Sequence, residues 1–192
     1  MATVEFKIFS LAEKVGLPGG VLVLRPKASE MFEISITEQI NHGDVIVCDF
    51  SKITDCSSSF VDEFVLGWQR KLRDVSNTIM ILKNLQEDVR FTIESTLAQR
   101  NRISKEQFIL IERTGDQYAL IGDKIEKNVK DCFSLMASGK RLTARFISDS
   151  LGVELNSAGN RLKKLYDLQL AQRQEQNTEQ GGKFEYFLPA LT

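Results

Sequence analysis

Apolar residues follow two rhythms along the chain. Val45-Ile-Val-Cys-Asp-Phe50 is a short, β-branched run introduced by the turn residues Asn41, Gly43 and Asp44, and it predicts a buried strand; Thr78 to Leu82 predicts a second. Between them Phe60, Phe64, Trp68 and Leu72 recur every four residues. Serines stand at the start of this stretch, Asp62 and Glu63 in its first turn, and Arg70, Lys71 and Arg73 at its end. The spacing predicts a helix over 57–72 whose charges complement its dipole.

Weaker patterns fill the rest of the first half. Gly16-Leu-Pro-Gly-Gly20 reads as a tight turn before a strand at 21–24, and Met31, Ile34, Ile36 and Ile40 place a helix over 28–40. Val89, Ile93 and Leu97 share a face of a helix over 87–100, and strands at 108–112 and 118–121 are joined by a turn at Thr114-Gly-Asp116. Strands alternating with helices predict an α/β fold, a mixed sheet flanked by helices, over residues 1–123.

A second domain is expected over 124–192. A helix over 124–138, either a linker or the first helix of this domain, carries Ile125, Val129, Cys132, Phe133 and Met136 and ends at Gly139. Thr143 caps a short helix with Ile147 and Leu151 inward, Gly152 permits a sharp turn, and Val153 plugs it. Asn156 or Ser157 opens the next helix, which buries Ala158, Leu162 and Leu165. Segments 170–174 and 183–188 pair as a hairpin with Gly181-Gly182 near its tip. The stretch RLTARFISDSLGVELNSAGNRLKKLYDLQLAQRQ resembles the winged helix-turn-helix of bacterial regulators, which implies two short helices joined by a glycine turn, followed by a wing.

Composition supports this two-domain reading. The 192 residues are 42% hydrophobic and 27% charged, which suits one good core plus a smaller one. No apolar run approaches the roughly 20 residues of a spanning helix, and MATVEFKIFSLAEK lacks a basic leader with an apolar stretch, so a cytoplasmic protein without a membrane segment is expected. Cys48, Cys56 and Cys132 form neither a CxxC pair nor a disulfide framework and read as small buried hydrophobes. The net charge of −1 is divided unevenly: residues 1–139 carry 17 Lys and Arg against 20 Asp and Glu (−3), and residues 140–192 carry 8 against 6 (+2).

The stretch VIVCDFSKITDCSSSFVDEF, residues 45–64, resembles the centre of STAS-like domains: an apolar strand ending in Asp-Phe-Ser, a short loop, and a serine-rich helix start followed by Phe and an acidic pair. The resemblance extends over roughly residues 20–122 and implies a STAS-like fold. In the anti-anti-sigma factors, relatives of this group, a serine at this helix start is phosphorylated by an ATP-binding anti-sigma kinase. The resemblance places Asp49 on the family aspartate and Ser58 on the phosphorylated serine, and implies an ATP-binding, kinase-like protein partner. Ser57 stands where those proteins carry aspartate, and Phe60 where they carry glycine. Read from the residues alone, Ser57, Ser58 and Ser59 are either helix caps or an anion-accepting, phosphorylatable switch.

Other chemistry is sparse. Asp62 and Glu63 are adjacent on one turn and point in different directions, so they read as solvated charges rather than a catalytic pair. His42, the lone histidine, stands beside Gly43 with no cluster to complete a metal site. The Gly16–Gly20 loop lacks a Gly-Lys-Ser/Thr ending, and no nucleotide, flavin or metal motif is present, so no enzyme and no cofactor are expected. In the second domain Asn156, Ser157, Asn160, Arg161 and Lys164 on the second helix, and Lys183 on the hairpin, are candidate DNA contacts. Residues 140–164 hold six basic side chains against two acidic ones, a small patch suited to modest DNA affinity. The expected function is a regulator that binds a protein partner through its STAS-like domain and DNA through its winged helix. The alternative is a protein–protein adaptor in a signalling or defence assembly.

Overall fold

The apolar runs that begin at Val45 and Ile79 form the centre of a five-stranded sheet in the computed structural model, which describes residues 2–104, 106–176 and 183–190. The strands are β1 (Thr3–Lys7), β3 (Val45–Asp49), β5 (Ile79–Lys83), β6 (Leu110–Thr114) and β7 (Gln117–Ile121), in the order β1-β3-β5-β6-β7. The first four are parallel, and β7 returns antiparallel to β6. Parallel strands are usually buried on both faces, which explains why β3 and β5 are nearly unbroken apolar runs rather than alternating ones. Ile46, Cys48, Met80 and Leu82 belong to the main core, and on the opposite face Val45, Val47, Ile79 and Ile81 are buried as well.

Strand order advances in one direction without reversing. Right-handed crossovers then put every connecting helix on the same side of the sheet. Helices α1 (Ile8–Lys14), α2 (Arg25–Ser35), α3 (Ser58–Phe60), α4 (Leu66–Leu72) and α5 (Glu87–Ile103) contribute Leu11, Met31, Phe60, Trp68 and Ile93 to one cluster with Phe6, Ile46 and Leu82. Trp68 packs on Phe6 and Phe32 and donates its indole N–H to the Ser35 hydroxyl at 2.9 Å.

The expected helix over 57–72 is continuous, but its middle turn, Val61–Val65, is π-helical. In an α-helix a row of side chains spaced by four drifts by about 40° per step. The wider π turn accommodates part of that drift, and Phe60, Phe64, Trp68 and Leu72 are all 1% exposed or less. Helix α2 starts three residues earlier than the pattern predicts and stops at Ser35 instead of residue 40. Leu24, at φ 73°, turns the chain into this helix, and Pro26 sits in the first turn, where no N–H is needed. The expected strand at 21–24 is only β2 (Val21–Leu22), paired in parallel with β4 (Asp55–Cys56). Three elements, β1, α1 and β4, have no counterpart in the sequence reading.

The contacts divide the chain into Met1–Asp123 and Lys124–Thr192. In the second unit α6 (Lys127–Ala137) and α7 (Ala144–Leu151) both pack against α8 (Leu155–Asp167). Strands β8 (Gln172–Glu175) and β9 (Phe184–Phe187) form an antiparallel pair. Leu142 bridges to Tyr186 through two 2.8 Å hydrogen bonds, and the Arg173 guanidinium lies 4.0 and 4.2 Å from the Tyr166 and Phe184 rings. The predicted tip, Gly181-Gly182, lies outside the described residues. No helix among the described residues is long and apolar enough to cross a membrane.

Candidate functional site

The serine helix start is built by the small β2–β4 pair. Backbone N–H groups of Thr54 and Ser57 donate to the carbonyls of Gly20 and Leu22, both at 2.8 Å, which clamps the 52–57 loop onto the segment 20–22. Gly20 makes this approach possible: at φ 75° a Cβ on it would lie 2.1 Å from the Lys52 carbonyl oxygen. That contact, not a phosphate loop, accounts for the glycine. Ile53 and Cys56 are buried beneath the loop.

The three serines then take different positions. Ser57 caps the helix, its hydroxyl accepting the Phe60 N–H at 3.2 Å, and Ser59 is hydrogen-bonded to Ser57 at 2.9 Å. Ser58 is exposed, and its hydroxyl makes no hydrogen bond among the described residues. Alongside runs the continuation of β2, where Val21, Val23 and Leu24 are 37%, 37% and 60% exposed. The positive φ of Leu24 is costly for a bulky side chain, and the strained residue presents its side chain to solvent.

Asp49 ends β3 in a separate network. One carboxylate oxygen accepts from the Ser51 N–H (2.9 Å), the Ser51 hydroxyl (2.6 Å) and the Asn84 amide (2.8 Å), and the other lies 3.4 Å from Lys83. Partial burial pushes this carboxyl up, but the bonds from Ser51 and Asn84 and the Lys83 charge outweigh it and hold its pKa at about 2. None of these partners belongs to serines 57–59.

Asp62 corrects the sequence reading. It is 7% exposed, not solvated, because α2 and α5 bring arginines over the π turn. One of its oxygens takes Arg25 at 3.3 Å and a short contact from Arg100, and the other faces Arg70 at 3.6 Å. Glu63 joins it through Arg25 (3.0 Å) and Ser29 (3.0 Å), so the two carboxylates share one arginine. Arg25 and Arg100 lie 37 and 38 residues from Asp62, and no local pattern could have found them.

His42 is hydrogen-bonded to Ser76 at 2.8 Å, and the described residues contain no group of three metal-binding side chains. The three cysteines are free and buried. Burial pushes the Cys48 thiol up to about 12, and burial with the Asp55 charge does the same to Cys56.

In the second unit Thr143 caps α7, its hydroxyl accepting the Phe146 N–H at 3.1 Å, and Gly152 at φ 62° turns the chain. Helix α8 starts at Leu155 with Glu154 at its cap, one residue before Asn156 and two before Ser157, where the sequence places its start. Asn156, Asn160 and Lys163 form its outward face, while Ser157, Arg161 and Lys164 are half-buried. Lys164 is held by Glu126 at 2.5 Å, and the Arg161 charge acts on Cys132 of α6. Other cations also have acidic neighbours: Arg141 with Glu185 (2.9 Å), Lys163 with Asp167 (2.5 Å) and Lys183 with Glu175 (3.6 Å).

Residues 32–90 match the model of the STAS-like domain of unknown function (DUF4325). The STAS-like segment runs from within α2, through β3, the serine helix and β5, to the first turn of α5, and so contains Asp49, Ser57–Ser59 and Asp62. A mixed sheet with a parallel majority and flanking helices fits a STAS-like fold. Neither the curated proteins nor the solved structures gave a match to the chain.

Proposed function

We propose that this chain is a cytoplasmic regulatory protein that binds rather than catalyses. Its STAS-like unit receives a protein partner, an ATP-binding kinase-like protein, at the serine helix start. Its second unit acts as a winged helix-turn-helix on duplex DNA, with α8 as the recognition helix and the β8–β9 hairpin as the wing. The observation that carries the reading is Ser58, an exposed, unpartnered hydroxyl at a helix start beside the exposed Val23 and Leu24. Its neighbour Ser57 supplies the cap, which leaves Ser58 available for a partner or a phosphate.

One variant tests the docking surface. Ser58→Glu alters partner co-purification while thermal stability stays near that of the wild type, since a carboxylate near an exposed helix start is favourable by about 0.3–1 kcal/mol. Equal capture of every wild-type partner by the Glu variant contradicts a charge-operated switch.

One observation favours the alternative, an adaptor that binds protein through both units. Three of the six basic side chains over 140–164, and Lys183 on the hairpin, already face carboxylates. Exposed pairs of this kind are weak, about 0–1 kcal/mol, so phosphates can still compete for the cations. The salt dependence of duplex binding separates the two readings.

A further inference from the structure

Among the described residues, β1 is an open edge of the five-stranded sheet, with β3 on one side and no strand on the other. The Ala2 carbonyl accepts the Val45 N–H at 2.9 Å, so the backbone groups of Ala2, Val4 and Phe6 face β3. Those of Thr3 and Glu5, with the Lys7 N–H, therefore point along the free edge. An unpaired edge of this kind is a template for another strand, and proteins commonly blunt it with proline or a bulge. Neither interrupts Thr3–Lys7. A groove of about 560 Å³ runs beside the edge, with Val4, Phe6, Leu11 and Ile34 among its lining residues.

The charges on this strand complement themselves. Glu5 and Lys7 are both exposed, of opposite sign, and separated by one residue, so they lie on the same face of the sheet. We propose that β1 pairs antiparallel with β1 of a second copy of this chain, with Phe6 on the two-fold axis. In that register Glu5 of each copy stands opposite Lys7 of the other, and each Lys7 N–H reaches a Glu5 carbonyl across the seam. Two opposite-charge cross-strand pairs form by symmetry, and the inward side chains of the arriving strand, Val4 and Phe6, enter the apolar part of the groove. The sheet then continues across the axis as ten strands. Glu5 also lies 3.1 Å from Lys83, which fixes it on the face where the second copy's Lys7 arrives.

Sedimentation velocity of the full chain across roughly 1–300 μM tests the pairing. The wild type shows a reversible monomer–dimer equilibrium. Lys7→Glu, which leaves the Glu5–Lys83 pair intact, places glutamates opposite each other twice and weakens the dimer by roughly tenfold or more. The double variant Glu5→Lys/Lys7→Glu restores opposite charges and brings the dissociation constant back toward the wild-type value. A wild type that stays monomeric throughout, a Lys7→Glu dimer as tight as the wild type, or a folded double variant without recovery each overturns the proposal.

Discussion

Ser57 and Ser58 are neighbours with different physical roles, and single substitutions separate them. Ser57→Ala removes the side chain that accepts the Phe60 N–H and lowers stability by about 1 kcal/mol, whereas Ser58→Ala, which breaks no bond, leaves the melting temperature nearly unchanged. A second contrast lies in the glycine turn. Gly20→Ala drives a Cβ into the Lys52 carbonyl and costs about 2 kcal/mol or more in urea unfolding, while Gly19→Ala meets no atom within 4 Å and bears only the positive-φ penalty of about 1–2 kcal/mol. Asp49 adds a pH dependence. Its folded pKa of about 2 lies below the ordinary 3.8, so its contribution is present above pH 3.8 and is lost as pH falls toward 2. In denaturant titrations through that range, Asp49→Asn flattens the acid-side loss of stability; an unchanged slope contradicts the assignment. The aspartate itself was legible at the strand end, but its partner Asn84 was not, since the two meet only when β3 and β5 align in register.

At the scale of elements, regular local signals were readable and long-range ones were not. The hairpin around Thr114–Asp116 and the four-residue spacing from Phe60 to Leu72 identify a β-hairpin and a helix because turn residues and periodicity are local properties. Helix α1 follows β1 directly, Ile8 after Lys7, with no turn residue to mark the junction, so that boundary carries no sequence signal. The π turn and its arginines are equally hidden, because Asp62 is paired with arginines from two distant helices. Asp62→Ala leaves Arg25, Arg70 and Arg100 facing one another around a partly buried site and lowers stability by about 2 kcal/mol or more, readable as a shift of the urea midpoint. On α8 Asn160 and Lys163 are exposed, and Lys164 is half-buried and paired with Glu126. Replacing Asn160 and Lys163 together with Ala weakens duplex binding and reduces its log–log salt slope by about 0.9, one phosphate contact. Unchanged affinity and slope remove this face from recognition.

Across the whole molecule, the regulatory reading requires the partner-binding surface and the DNA-binding surface to operate in one chain. The charge distribution is compatible with that arrangement, since residues 1–139 carry a net −3 and residues 140–192 a net +2. The most direct measurement is a fluorescence-anisotropy titration of the full chain onto duplex DNA of random sequence at a series of salt concentrations. Non-specific binding through the second unit gives dissociation constants on the order of 10⁻⁴–10⁻⁶ M near physiological salt, and the logarithm of the binding constant falls linearly as the logarithm of salt concentration rises. A chain that fails to bind duplex DNA even at low salt, or whose binding is independent of salt, contradicts the DNA-binding regulator and leaves the adaptor.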